Sequence, residues 1–130
     1  MTTKHITGTY AAGYTLSATY SAVRIAASGE IDGAGLSVSN AEVFNHGRVT
    51  AGDYGATGVD FAGAGRLTNA HGATIAGGVG IVGAYGRDDS GGTGGGGGSG
   101  VTPQGGGIVN RGAIAGGAGG VGGEGYYAGT

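Results

Sequence analysis

Cysteine and tryptophan are absent from this 130-residue chain, proline occurs once (Pro103), and charged residues make up 11%. Without cysteine there is no disulfide framework, no thiolate metal site and no thiol nucleophile. Large apolar side chains are scarce too: three leucines and two phenylalanines stand beside ten valines and seven isoleucines. That is too little for a conventional globular core. Six basic residues against eight acidic ones give a net charge of −2, which offers no footprint for nucleic acid or an anionic membrane. No apolar run of about 7–15 residues follows Met1, as a secretory signal needs, and none approaches the roughly 20 residues of a membrane-spanning helix. The expectation is a chain that is cytosolic, exported by another route, or cut from a longer protein, and that is not inserted in a membrane.

Glycine is abundant, at 37 residues. It does not recur at every third position, so a collagen helix is excluded, and the low charge argues against disorder. The chain instead repeats. Val43-Phe44-Asn45-His46-Gly47-Arg48-Val49, Leu67-Thr68-Asn69-Ala70-His71-Gly72-Ala73-Thr74-Ile75 and Ile108-Val109-Asn110-Arg111-Gly112-Ala113-Ile114 share one pattern. Ile25-Ala26-Ala27-Ser28-Gly29-Glu30-Ile31 is a degenerate copy. Each is followed by a Gly-rich stretch and a third apolar residue: Leu36, Val59, Ile81 and Val121. A less regular unit with Tyr14, Leu16 and Tyr20 precedes them.

Each apolar residue is central in a three-residue piece such as Arg48-Val49-Thr50, the mark of a short strand with one side chain inward. No helical stripe is present, and glycine disfavours one. Three short strands per unit, stacked unit on unit, predict an all-β fold: a parallel β-helix, or solenoid, of about five short coils. Adjacent coils would lie about 4.8 Å apart, with glycine supplying positive φ at the corners. The division expected is one domain over 1–130, with regular coils at 22–82 and 107–127 and a Gly-rich inserted loop at 83–106. Stacked in register, Arg24, Glu42 and Arg66 form one column of alternating charge, and Glu30 and Arg48 begin another. The same alignment stacks Ser28, His46, His71 and Arg111 before their corner glycines. Asn45, Asn69 and Asn110 form an amide ladder, in which Asn69 departs by one extra residue before its glycine.

The phrase Ile108 to Gly117, and loosely Leu67 to Gly78, resembles the passenger repeats of bacterial autotransporters and related β-helical surface adhesins, over roughly Val23 to Tyr126. The right hand of the helix is part of what that resemblance implies. It also implies a secreted protein displayed outside the cell or on its surface, acting as stalk, adhesin or self-association module. It brings no functional residue with it.

Other motifs fail on context. Gly78-Val79-Gly80-Ile81-Val82-Gly83 fits a dinucleotide fingerprint in letters, but no helix follows. The Gly-Gly-x-Gly runs lack the Asp of a calcium-binding nonapeptide. Asp88-Asp89-Ser90 offers at most a weak Ca²⁺ loop, and His46 with His71 only half a metal site. Asp53 and Asp60, with Arg48 and Arg66 near, are the closest approach to the clustered carboxylates of a polysaccharide-cleaving enzyme. Thr7, Thr9, Thr50, Thr68 and Thr74 do not recur at one repeat position, against an ice-binding array. No cofactor and no catalytic residue is therefore expected. Seven tyrosines remain: Tyr10, Tyr14 and Tyr20, Tyr54 and Tyr85, and Tyr126 and Tyr127.

A short solenoid with uncapped ends exposes strand edges that template another chain. The reading is a non-catalytic structural protein that self-associates end to end into a fibre, with Tyr10, Tyr14, Tyr20, Tyr126 and Tyr127 at the interface. A carbohydrate- or host-binding adhesin fragment using loop tyrosines, with surface carbohydrate as its partner, is the alternative. A β-helix enzyme ranks third.

Overall fold

In the computed structural model, which describes residues 2–81 and 95–120, the chain is all-β with no helix among the described residues. Three parallel sheets of short strands hold the fold. The first comprises β1 (Thr3–Ile6), β4 (Ala22–Ile25), β7 (Glu42–Asn45), β10 (Arg66–Asn69) and β13 (Ile108–Asn110). The second comprises β2 (Thr9–Tyr10), β5 (Glu30–Ile31), β8 (Arg48–Thr50), β11 (Thr74–Ala76) and β14 (Ala113–Ala115). The third comprises β3 (Tyr14–Thr15), β6 (Leu36–Val38), β9 (Val59–Phe61) and β12 (Val101–Thr102). The chain visits first, second and third sheet in the same order each time, and each strand pairs with its counterpart one round away. In rounds two to four the core is filled by single inward columns, including Val23-Val43-Leu67, Ile31-Val49-Ile75 and Leu36-Val59, all fully buried.

Four details depart from the expectations. The first round opens with β1, a strand that the repeat pattern does not mark: Lys4 pairs with Val23 and Ile6 with Ile25. The third-sheet residue of the fourth round is Val101, in register with Val59, whereas Ile81 is 56% exposed. Val101 and Thr102 thus form a strand within the 83–106 stretch assigned to the loop. Arg24 leaves its expected column, because Ala22 stands opposite Glu42 and Arg24 opposite Phe44. The inward residue of that strand aligned with Val43 is Val23, two residues earlier than the repeat suggested.

The fourth correction concerns the glycines between the first and second sheets. The connection is two residues long at 7–8, four at 26–29, two at 46–47, four at 70–73 and two at 111–112. The four-residue corners close on themselves, with Gly29 N–H donating to Ala26 O at 2.8 Å and Ala73 N–H to Ala70 O at 3.0 Å. The two-residue corners nest against them. A Cβ on Gly47 would run into the Ala26 and Gly29 carbonyls, and one on Gly112 into those of Ala73 and Ala70. Neither glycine has a positive φ. These two are there for closeness of approach rather than backbone conformation; the expected positive φ is found at Gly72 (83°) in the longer 70–73 corner and, at the next corner, at Gly33 (56°) and Gly35 (79°).

From Gly77 onward the packing changes. Segments 77–81, 95–100 and 116–120 bond to one another through backbone alone. Gly98 N–H donates to Gly78 O (2.7 Å), Gly117 N–H to Gly98 O (2.8 Å) and Gly80 N–H to Ala118 O (2.7 Å). Each segment is bonded to both others, which is a bundle and not a sheet. A Cβ at Gly78, Gly80, Gly97, Gly98 or Gly117 would strike a neighbouring carbonyl. Only glycine permits backbones so close, as at the axis of a collagen helix.

Candidate functional site

The short corners create a local demand. Gly47 N–H is held under the four-residue corner below it, away from a backbone acceptor, and the Asn45 side chain supplies one: Gly47 N–H donates to Asn45 Oδ1 at 3.1 Å. Gly112 N–H donates to Asn110 Oδ1 in the same way at 3.1 Å. Asn69 links them. Asn45 Nδ2 donates to Asn69 Oδ1 at 2.9 Å and Asn69 Nδ2 to Asn110 Oδ1 at 2.9 Å. Each amide also reaches the second strand of the next round, Asn45 Nδ2 to Thr74 O (3.1 Å) and Asn69 Nδ2 to Ala113 O (3.2 Å). Asn45 and Asn69 are fully buried, and no buried side-chain polar atom among the described residues lacks a partner. The ladder is in register through Asn69 despite its longer corner. Ile6 and Ile25 fill the same column in the first two rounds, where the corner amide is either at the end of the stack or bonded within its own four-residue turn.

The ladder stops at Asn110, which is exposed, beside Ile108 (42% exposed) and Val109 (45%). The opposite end differs. Ile6 is buried although it lies in the terminal strand, and Leu16 is buried with it. Tyr10, Tyr14 and Tyr20 are half-buried and pack on the core, the rings of Tyr10 and Tyr14 meeting edge-on with centroids 4.8 Å apart. These three tyrosines cover the first round. Tyr126 and Tyr127, like Tyr85, Asp88 and Asp89, lie outside the described residues. Tyr54 is 66% exposed, beside Val79, whose carbonyl accepts from Gly55 N–H at 2.8 Å.

The charged columns are partly as expected. Glu30 stands opposite Arg48, and Glu42 opposite Arg66. Arg24 is held elsewhere, its guanidinium 5.3 Å from the Phe44 ring centroid and Nη1 3.1 Å from His46 Nε2. His46 stacks between Ala26 and Ala70, not on His71, since the longer corner displaces His71 outward. Ser28 Oγ donates to Thr7 O at 2.9 Å. Among the described residues no three His, Cys, Asp or Glu side chains gather as a metal site would require. Asp60 lies on the outer face of β9 and accepts from Thr102 Oγ1, and Asp53 sits at the preceding corner. An open groove of about 460 Å³ between the third and first sheets is lined by Ser21, Asn40, Glu42, Gly65, Arg66 and Gly106. It sets one carboxylate near one guanidinium, without the paired acids of glycoside cleavage. The feature that the sequence missed is the glycine bundle.

Comparison with known proteins found no matching family model, no matching curated protein and no matching solved structure.

Proposed function

We propose that this chain is a non-catalytic structural protein, a right-handed parallel β-helix that stacks end to end into a fibre outside the cell or on its surface. The observation that carries the reading is the unfinished end of the asparagine ladder. Every inner asparagine donates to the next round, and Asn110 is exposed beside exposed Ile108 and Val109. A second copy stacked in the same parallel register would place its first round there. Thr9 of that copy would then occupy the position that Thr74 and Ala113 hold over Asn45 and Asn69, offering its carbonyl to Asn110 Nδ2. Tyr10, which heads the Ile31-Val49-Ile75-Ile114 column, would lie against Ile114, with its ring face for the apolar contact and its hydroxyl for water. Because the two contacting surfaces differ and lie at opposite ends of one stacking axis, the arrangement repeats without closing.

Gly8 provides the test. A Cβ there meets nothing within 4 Å in the isolated chain, yet stacking would bring it against the Arg111–Gly112 corner of the next copy. Negative-stain electron microscopy of the purified protein is expected to show uniform thin fibres, and Gly8→Val is expected to leave folded single particles. Discrete particles of the unaltered protein at every concentration would overturn the proposal.

A second reading, an adhesin that binds surface carbohydrate, is favoured by one observation, the exposure of Tyr54 beside Val79. Saccharide binding lost on Tyr54→Ala, with fibres unaffected, would establish it.

A further inference from the structure

The charges of the described residues are sorted by face. Glu30 with Arg48 and Glu42 with Arg66 face each other in register and neutralise their own strips of surface. What remains, apart from half-buried Lys4 on β1, is segregated. The corner between the first and second sheets, with the outer column of the first sheet beside it, carries Arg24 and Arg111 flanked by His5, His46 and His71. Among the described residues no carboxylate lies there. The corner between the second and third sheets, with the outer face of the third, carries Asp32, Asp53 and Asp60, and no described base. Arg24, Arg111, Asp53 and Asp60 are exposed. Two of them are also held in place: Arg24 by Phe44 and His46, Asp60 by Thr102. A charge already fixed in position loses less side-chain entropy when it meets a partner.

We infer that these are two halves of a lateral contact: the Arg24–Arg111 corner of one copy docks on the Asp53–Asp60 face of a second copy. The occupant is argued from charge complementarity within the chain itself. Each copy presents both signs on separated faces, so the contact is heterologous and joins copies side by side. It is distinct from end-to-end stacking, which uses the strand edges, and does not depend on it.

The test isolates the lateral contact by using Gly8→Val, which blocks stacking. Sedimentation velocity is expected to show association at about 20 mM salt and monomer at about 500 mM, where the screening length falls well below 10 Å. Arg24→Glu with Arg111→Glu is expected to weaken association at least tenfold. Adding Asp53→Lys and Asp60→Lys to that chain restores both signs with the faces exchanged, and is expected to restore association. If Gly8→Val does not fold, fibres of the unaltered protein report the same contact, bundled at low salt and single at high salt. Monomer at both salt concentrations overturns the inference, and so does association indifferent to salt and charge reversal. Retention on an anionic polysaccharide without self-association would overturn it too, and would give the Arg24–Arg111 corner to a polyanion.

Discussion

The strand ladders and the glycine bundle solve one problem with opposite materials. In rounds two to four the sheets are held apart by side chains: Val23, Val43, Leu67 and Ile75 fill the interior, and asparagines close the corners of the third and fourth rounds. In the bundle of 77–81, 95–100 and 116–120 nothing stands between backbones, and the buried glycines Gly77, Gly78, Gly80, Gly98 and Gly100 are themselves the interior. The first region gains from apolar burial, at about 25 cal/mol per Å². The second has little apolar area to bury and relies on backbone hydrogen bonds, each adding about 0.5–1.5 kcal/mol net, against the larger entropy cost of ordering glycine. A chain poor in leucine and phenylalanine can therefore still be ordered, but its two regions should fail differently.

The largest effect separating them is expected at Phe61, buried at 2% exposure on β9. Phe61→Ala should cost about 3–5 kcal/mol, seen as a shifted midpoint for the whole chain in urea. Gly98→Val should cost less globally and act locally. Its Cβ would meet the Ala56 carbonyl, so hydrogen exchange should speed at Gly78, Gly98 and Gly117 while amides of β4 and β7 stay protected. Equal loss of protection in both regions would mean that they unfold as one unit. Asn45→Ile comes next. It copies the Ile25 solution into a round whose corner is too short for it, leaving Gly47 N–H without its acceptor at a cost of about 1–3 kcal/mol.

How far the sequence could be read follows from the same contrast. The Glu30–Arg48 and Glu42–Arg66 registers and the ladder through Asn69 were legible because side chains that face one another across strands carry a pattern. Arg24 was misplaced because the degenerate copy was aligned on Ile25, whose corner is two residues longer than that of Asn45. The strand β1 was missed because Lys4 stands where other rounds have Val23 or Val43 and no asparagine follows. The glycine bundle was invisible for a deeper reason. Its specificity lies in the absence of side chains, so Ile81, the apolar residue that marks a third strand in the repeat pattern, is exposed and Val101 takes that place.

The smallest expected effect bears on why the corner glycines are there. Gly8 and Gly47 occupy equivalent two-residue corners, and neither has a positive φ. They differ in what lies beneath them: nothing within 4 Å for Gly8, the Ala26 and Gly29 carbonyls for Gly47. If closeness of approach is the reason for glycine, Gly8→Ala should stabilise the dispersed chain by about 0.4–1 kcal/mol through a less flexible unfolded state. Gly47→Ala should destabilise it, because backbone on two sides must move. Thermal unfolding of the two variants at high dilution, where stacking is absent, measures the difference directly. Opposite signs would tie glycine to stacking one round on another. A loss at both positions would instead show that the two-residue corner needs glycine for its own conformation, and would remove Gly8 as a probe of the end-to-end contact.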